Sequence, residues 1–146
     1  MAEVVLRAEL TQAGLGHRVV VDSAGTGDWH VGQRMHARAR AQLERSGYDG
    51  DAHRARQFEA PWLAERDLVL AMDAGNLADL QHLAPYDPND PQVSAPHRLR
   101  LFGEVAGLGD VDVPDPYGGN AADFARVLAM LQKGMATLVA RLPETL

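Results

Sequence analysis

An α/β fold, with a parallel sheet covered by helices on both faces, is what these 146 residues predict, and three features predict it. Arg18–Asp22 and Asp67–Met72 are short, continuous apolar runs, the pattern of strands buried on both faces rather than of strands with one wet side. Stretches of helical period lie between and after them, and strands that alternate with helices imply parallel pairing. No repeat, linker or shift in composition divides the chain, and its length suffices for one core, so residues 1–146 read as a single domain.

The elements follow in order. Residues 2–13 predict a helix with Val5, Leu6, Leu10 and Ala13 on one face and Gly14 as its stop. Arg18–Asp22 is the first strand, and Gly25-Thr26-Gly27 makes the loop after it. Met35–Arg45 is helical and stops at Gly47, and Pro61–Glu65 allows one further turn. Asp67–Met72 is the second strand and Asn76–Leu83 the next helix. Residues 85–96, with four prolines, predict a surface connection. His97–Val105 reads as helix, and Gly109–Pro114 as a short third strand. In the last helix Phe124, Val127, Leu128, Leu131, Met135, Leu138 and Leu142 recur at i, i+3, i+4 and i+7.

Composition narrows the function. A net charge of −6 argues against a nucleic-acid partner, because neutralising phosphates needs a basic face. With no cysteine, the chain itself has no disulfide, thiolate metal site or thiol nucleophile. The six histidines show neither an i, i+4 pair nor HExxH spacing, and Asp87-Pro88-Asn89-Asp90 lacks the glycine and terminal glutamate of a calcium loop, so neither metal nor cofactor is expected. GxSxG and GxxxxGK[ST] are absent, which leaves serine hydrolases and nucleotide enzymes without support. No apolar run reaches the ~18 residues of a membrane helix, and the expectation is a cytoplasmic protein with no membrane partner.

The most informative stretch is Asp112-Val113-Pro114-Asp115-Pro116-Tyr117-Gly118-Gly119-Asn120. Prolines on both sides hold Asp115 extended, and Asn120 is placed to cap the helix that follows, with Asp123 three residues on. Ligands of parallel sheets bind at the carboxyl ends of strands. Ser23–Trp29, Asp73–Asn76 and Asp115–Asn120 would bring acids, a hydroxyl and two aromatics to that edge, as a phosphorylated aromatic would require.

Together with Asp22-Ser23-Ala24-Gly25-Thr26, Asp28-Trp29, His53-Arg54-Ala55-Arg56-Gln57, Met72-Asp73 and Asn76-Leu77, this stretch resembles the low-molecular-weight protein tyrosine phosphatases, over nearly the whole chain. The resemblance implies a flavodoxin-like sheet of order 2-1-3-4. It also implies a phosphate loop, Cys-x5-Arg-Ser-Pro, which this sequence does not contain. Met1–Arg7 looks like the segment that follows that loop, so the first strand and the loop are expected to be missing at the N-terminus. An interior strand of ~5–6 residues is a large loss against a typical net stability of ~5–15 kcal/mol, and the expectation is a chain that folds poorly or with a patched sheet.

In that family a cysteine thiolate attacks phosphorus, and an aspartic acid protonates the leaving phenolate and then serves as base. By its motif Asp115 matches the acid. Tyr117 and Trp29 match the aromatics lining the substrate groove, and Ser23 and His53 match residues that support the phosphate loop. Gly118 stands where the family often has a second aromatic. Read alone, Ser23 is a loop-capping hydroxyl, His53 a satisfied surface histidine and Trp29 a loop anchor, while Asp73 reads as a helix cap. The implied partner is a phosphotyrosine protein or a small aryl phosphate. Two alternatives stay open: a non-catalytic module that binds an anion or a partner, and the arsenate-reducing branch of the same fold.

Overall fold

The structure is a computed structural model that describes residues 1–84, 89 and 98–142. The chain forms α1 (Ala2–Gln12), α2 (Ala37–Arg45), α3 (Trp62–Glu65), β1 (Val69–Ala71), α4 (Ala74–Leu83), β2 (Leu99–Leu101), α5 (Phe102–Val105) and α6 (Ala121–Arg141). β1 and β2 pair in parallel, Val69 opposite Leu99 and Ala71 opposite Leu101.

Side chains alternate across β1 and divide the core in two. Val69 and Ala71 face a smaller cluster with Leu63 of α3, Leu80 of α4, and Leu99 and Leu101 of β2. Leu70 and Met72 face the larger cluster, built from Val5 of α1, Ala39 and Leu43 of α2, Phe102 of α5 and the apolar stripe of α6. Helices therefore cover both faces of a parallel sheet, as the apolar runs predict. The stripe of α6 is the centre of this packing: Phe124, Val127, Leu128, Leu131, Met135 and Leu138 are all at most 4 % exposed. Phe102 is fully buried and lies so close to Gly134 that a Cβ there would sit 2.5 Å from its ring.

Helix ends follow local chemistry. Gly14, at φ +72°, adopts the left-handed conformation just beyond α1, and Gly47, at φ +83°, does the same after α2. The Asn120 side chain accepts from Asp123 N while the Asp123 carboxylate accepts from Asn120 N, a reciprocal capping box at the start of α6.

Three expectations are corrected. Arg18–Asp22 begins in a turn and joins no strand among the described residues, and Val20 is 98 % exposed. A β-branched run becomes a strand only against a neighbour, and among the described residues β1 pairs on one side alone. The expected third strand, Gly109–Pro114, is a loop, although Val113 N donates to the Met72 carbonyl at 2.8 Å. The second strand of the observed sheet is instead Leu99–Leu101, inside the expected helix His97–Val105, of which only Phe102–Val105 is helical. Smaller shifts move the start of α2 to Ala37 and that of α4 to Ala74. The proline-rich connection of residues 85–96, Asn89 excepted, and His97 lie outside the described residues.

Candidate active site

Beyond the end of β1 lies a cleft of about 330 Å³, lined by Met1, Asp73 and Asn76, by Val113 to Tyr117, and by residues of α2 and α6. Asp115 and Tyr117 enter it from the loop between α5 and α6. Several bonds hold this loop. Val113 N donates to Met72 O, and the Asp112 carboxylate accepts from Ala74 N at 3.1 Å, which ties the loop to the end of β1 and the first turn of α4. Within the loop, Tyr117 N donates to Asp115 Oδ1 at 3.0 Å and Gly119 N to Pro116 O at 2.8 Å. From α2, the Arg38 guanidinium donates to the Gly119 carbonyl. Asp115 is exposed, with one carboxylate oxygen engaged in its own turn.

Gly118 has φ +81°. A side chain there would be strained, so the turn after Tyr117 excludes the second aromatic that the resemblance leads one to expect.

Tyr117 is 64 % exposed and stands in a ladder of rings. His30 lies 5.5 Å from it on one side and His36 5.5 Å on the other. His36 in turn stacks on Phe124 at 5.1 Å, and Trp29 meets His30 edge-on at 6.3 Å. Trp29 is 72 % exposed and its ring folds over Gly27, occupying the space a Cβ there would need.

A second polar group surrounds the first turn of α1. Ser23 Oγ donates to Glu3 Oε2 at 2.5 Å and lies 3.1 Å from His53 Nε2, with His53 Nε2 3.7 Å from the same carboxylate. Burial pushes the His53 imidazole below its ordinary pKa. The Met1 amine adds to that, against the opposing pull of Glu3. His53 Nδ1 is buried and has no hydrogen-bond partner among the described residues. Glu3 also pairs with Arg7 at 2.9 Å, and Arg7 donates to the Val21 carbonyl at 2.6 Å.

The predicted residues thus fall into two groups: Asp115, Tyr117 and Trp29 at the cleft and its aromatic rim, Ser23 and His53 together at α1. Asp73 does cap α4, its Oδ1 accepting from Asn76 N at 2.7 Å. Glu3, His30, His36 and Arg38 are not singled out by the sequence. His36 is the α2 cap, Nδ1 accepting from Arg38 N at 3.1 Å, although the helical run expected from Met35 places it inside the helix. No signal points to Glu3 for this group, because Ser23 and His53 lie 20 and 50 residues further along the chain.

The sequence profile of the family described as low molecular weight phosphotyrosine protein phosphatase matches residues 1–146. The chain is 44 % identical over 144 residues to a low molecular weight protein-tyrosine-phosphatase of Streptomyces coelicolor, covering 99 % of this chain and 85 % of that one. It is 37 % identical over 138 residues to low molecular weight protein-tyrosine phosphatase A of Mycobacterium tuberculosis, covering 94 % and 80 %. In structure it is similar to a protein tyrosine phosphatase of Entamoeba histolytica, with a TM-score of 0.87 at 27 % identity over 99 % of this chain and 88 % of that one.

Proposed function

This chain belongs to the low molecular weight phosphotyrosine protein phosphatase family, and on that premise we propose that its cleft receives the aromatic ring of phosphotyrosine or of a small aryl phosphate. The observation that carries the reading is the placement of Asp115. The acid sits on a braced loop at the carboxyl end of β1, in the same cleft as the start of the chain and beside an exposed tyrosine.

In this reading a thiolate attacks phosphorus and the phenolate departs with the Asp115 proton. Water then attacks the phosphocysteine, Asp115 takes its proton, and thiolate and inorganic phosphate are released. Trp29 and Tyr117 form the apolar walls. Ser23 and His53, joined through Glu3, support the polypeptide ahead of α1.

The 146 residues contain no cysteine, so neither the nucleophile nor a Cys-x5-Arg loop is among them. We propose that a preceding strand and phosphate loop complete the enzyme, and that the chain as written does not hydrolyse phosphomonoesters. Among the described residues one edge of β1 pairs with no strand and Arg18–Asp22 joins none, with Val20 98 % exposed, which supports a further strand in the sheet. A non-catalytic anion-binding module is less well supported, because the first turn of α1 carries the Glu3 carboxylate, which repels an anion.

The test pairs the given chain with one extended through the upstream in-frame codons, each assayed on para-nitrophenyl phosphate. Turnover by the extended chain alone, slowed by Asp115→Ala chiefly for substrates with poor leaving groups, is the expected outcome. Turnover by the given chain would overturn the chemistry, and absence of an encoded Cys-x5-Arg would leave the binding module as the reading.

A further inference from the structure

We propose that His36 is a positioning residue for the loop that carries Asp115. The inference deepens the reading of Asp115 as acid and base and rests on it.

His36 does two things with one ring. Its Nδ1 accepts from Arg38 N at 3.1 Å, capping α2, which fixes the rotation of the imidazole. One ring face then stacks on Phe124 at 5.1 Å and 22°, while Tyr117 meets it edge-on at 5.5 Å and 78°. Phe124, 2 % exposed, lies in the first turn of α6, just after the loop ends, and Tyr117 N is bonded to Asp115 Oδ1. Arg38, two residues further along the chain in α2, holds the Gly119 carbonyl. The first turn of α2 therefore grips the loop in its middle and at its end. His30 closes the other side of Tyr117, itself hydrogen-bonded through Nδ1 to Gln33 Oε1 at 3.1 Å.

Serine, threonine, aspartate or asparagine would cap the helix equally well and offer no ring. A histidine links the cap to the aromatic packing, so the helix start and the acid loop move as one body. Proton transfer needs donor and acceptor within about 2.6–3.2 Å, and a displacement of about 1 Å costs on the order of a hundredfold in rate.

The link also depends on protonation. An accepting Nδ1 requires the neutral ring with its proton on Nε2; a second proton turns Nδ1 into a donor facing the Arg38 amide and places a cation at a helix N-terminus.

Amide hydrogen exchange, followed by NMR on the full 146-residue chain, tests this without any turnover. His36→Asn keeps a cap and removes the ring; His36→Phe keeps a ring and removes the cap. In each, Tyr117 and Gly119 amides should exchange about tenfold faster while those of Leu131 and Met135 in α6 stay unchanged, the pattern of local opening. Unchanged loop exchange in both variants, full rescue by Asn, or a uniform acceleration of all amides would overturn the proposal. Because no activity is read, the outcome is independent of whether Asp115 proves to be the acid.

Discussion

Val113–Asn120 and Arg18–Asp22 both lie outside helix and strand, but they are held in different ways. The first is constrained from within by Pro114 and Pro116, by the turn bond from Tyr117 N to Asp115 and by the Asn120–Asp123 box, and from outside by Met72, Ala74 and Arg38. The second rests on side chains: Arg7 takes the Val21 carbonyl, and Asp22 pairs with Arg56 at 3.1 Å and Arg66 at 2.7 Å. Those two guanidiniums lie over the Trp62 ring, each 5.0 Å from its centroid. Proline geometry and caps act over a few residues and operate whatever lies further off. A β-branched run draws its stability from cross-strand pairs and from burial of both faces, so its state depends on a neighbour.

The comparison can be broken most forcefully at the shared core. Phe102→Ala empties the centre of the larger cluster and should cost about 3–5 kcal/mol, lowering the urea midpoint of the whole domain; a loss below about 1 kcal/mol would mean that α6 is not the common support. Asn120→Ala acts on the first region alone. Loss of the cap should cost about 1 kcal/mol and raise amide exchange at Gly119 and Asp123 without reaching Val21.

Asp22→Asn acts on the second region. As a partly exposed pair, it should cost less than about 1 kcal/mol, be weaker still in high salt, and free Val21 and Ser23 in exchange. Hydrogen bonding from Arg66 holds the Asp22 carboxyl below its ordinary pKa of 3.8, so its contribution is present above that pH and is lost as acid protonates it.

The smallest effect is that of His53. Its folded-state pKa lies below 6.5, so on acidification the unfolded chain takes the proton first. Stability from this group is full above pH 6.5 and falls as the pH drops below it towards the lowered value. Urea melts at about pH 7.5 and about pH 5.5 should show that fall, and His53→Gln should remove it; an unchanged slope would place the dependence elsewhere.

How much of this was legible without coordinates depends on the range of each interaction. The helix stops at Gly14 and Gly47, the capping box at Asn120, the Asp73 cap and the stripe of α6 all follow from residues within a turn or two of each other, and all are found. Asp115 and Tyr117, marked out by their motif, line one cleft, and Trp29 meets the His30 ring that neighbours Tyr117. Which apolar run becomes a strand was not legible in the same way. Arg18–Asp22 is the more β-branched run yet stays unpaired, whereas Leu99-Arg100-Leu101, weak on propensity, pairs because β1 lies beside it. The Glu3–Ser23–His53 group and the rings around Tyr117 were equally hidden, since their members are brought together from distant parts of the chain. Turn chemistry, caps and helical period are properties of neighbouring residues, and the order of amino acids settles them. Pairing, burial and the meeting of side chains across the domain are settled only when the helices and the sheet have packed.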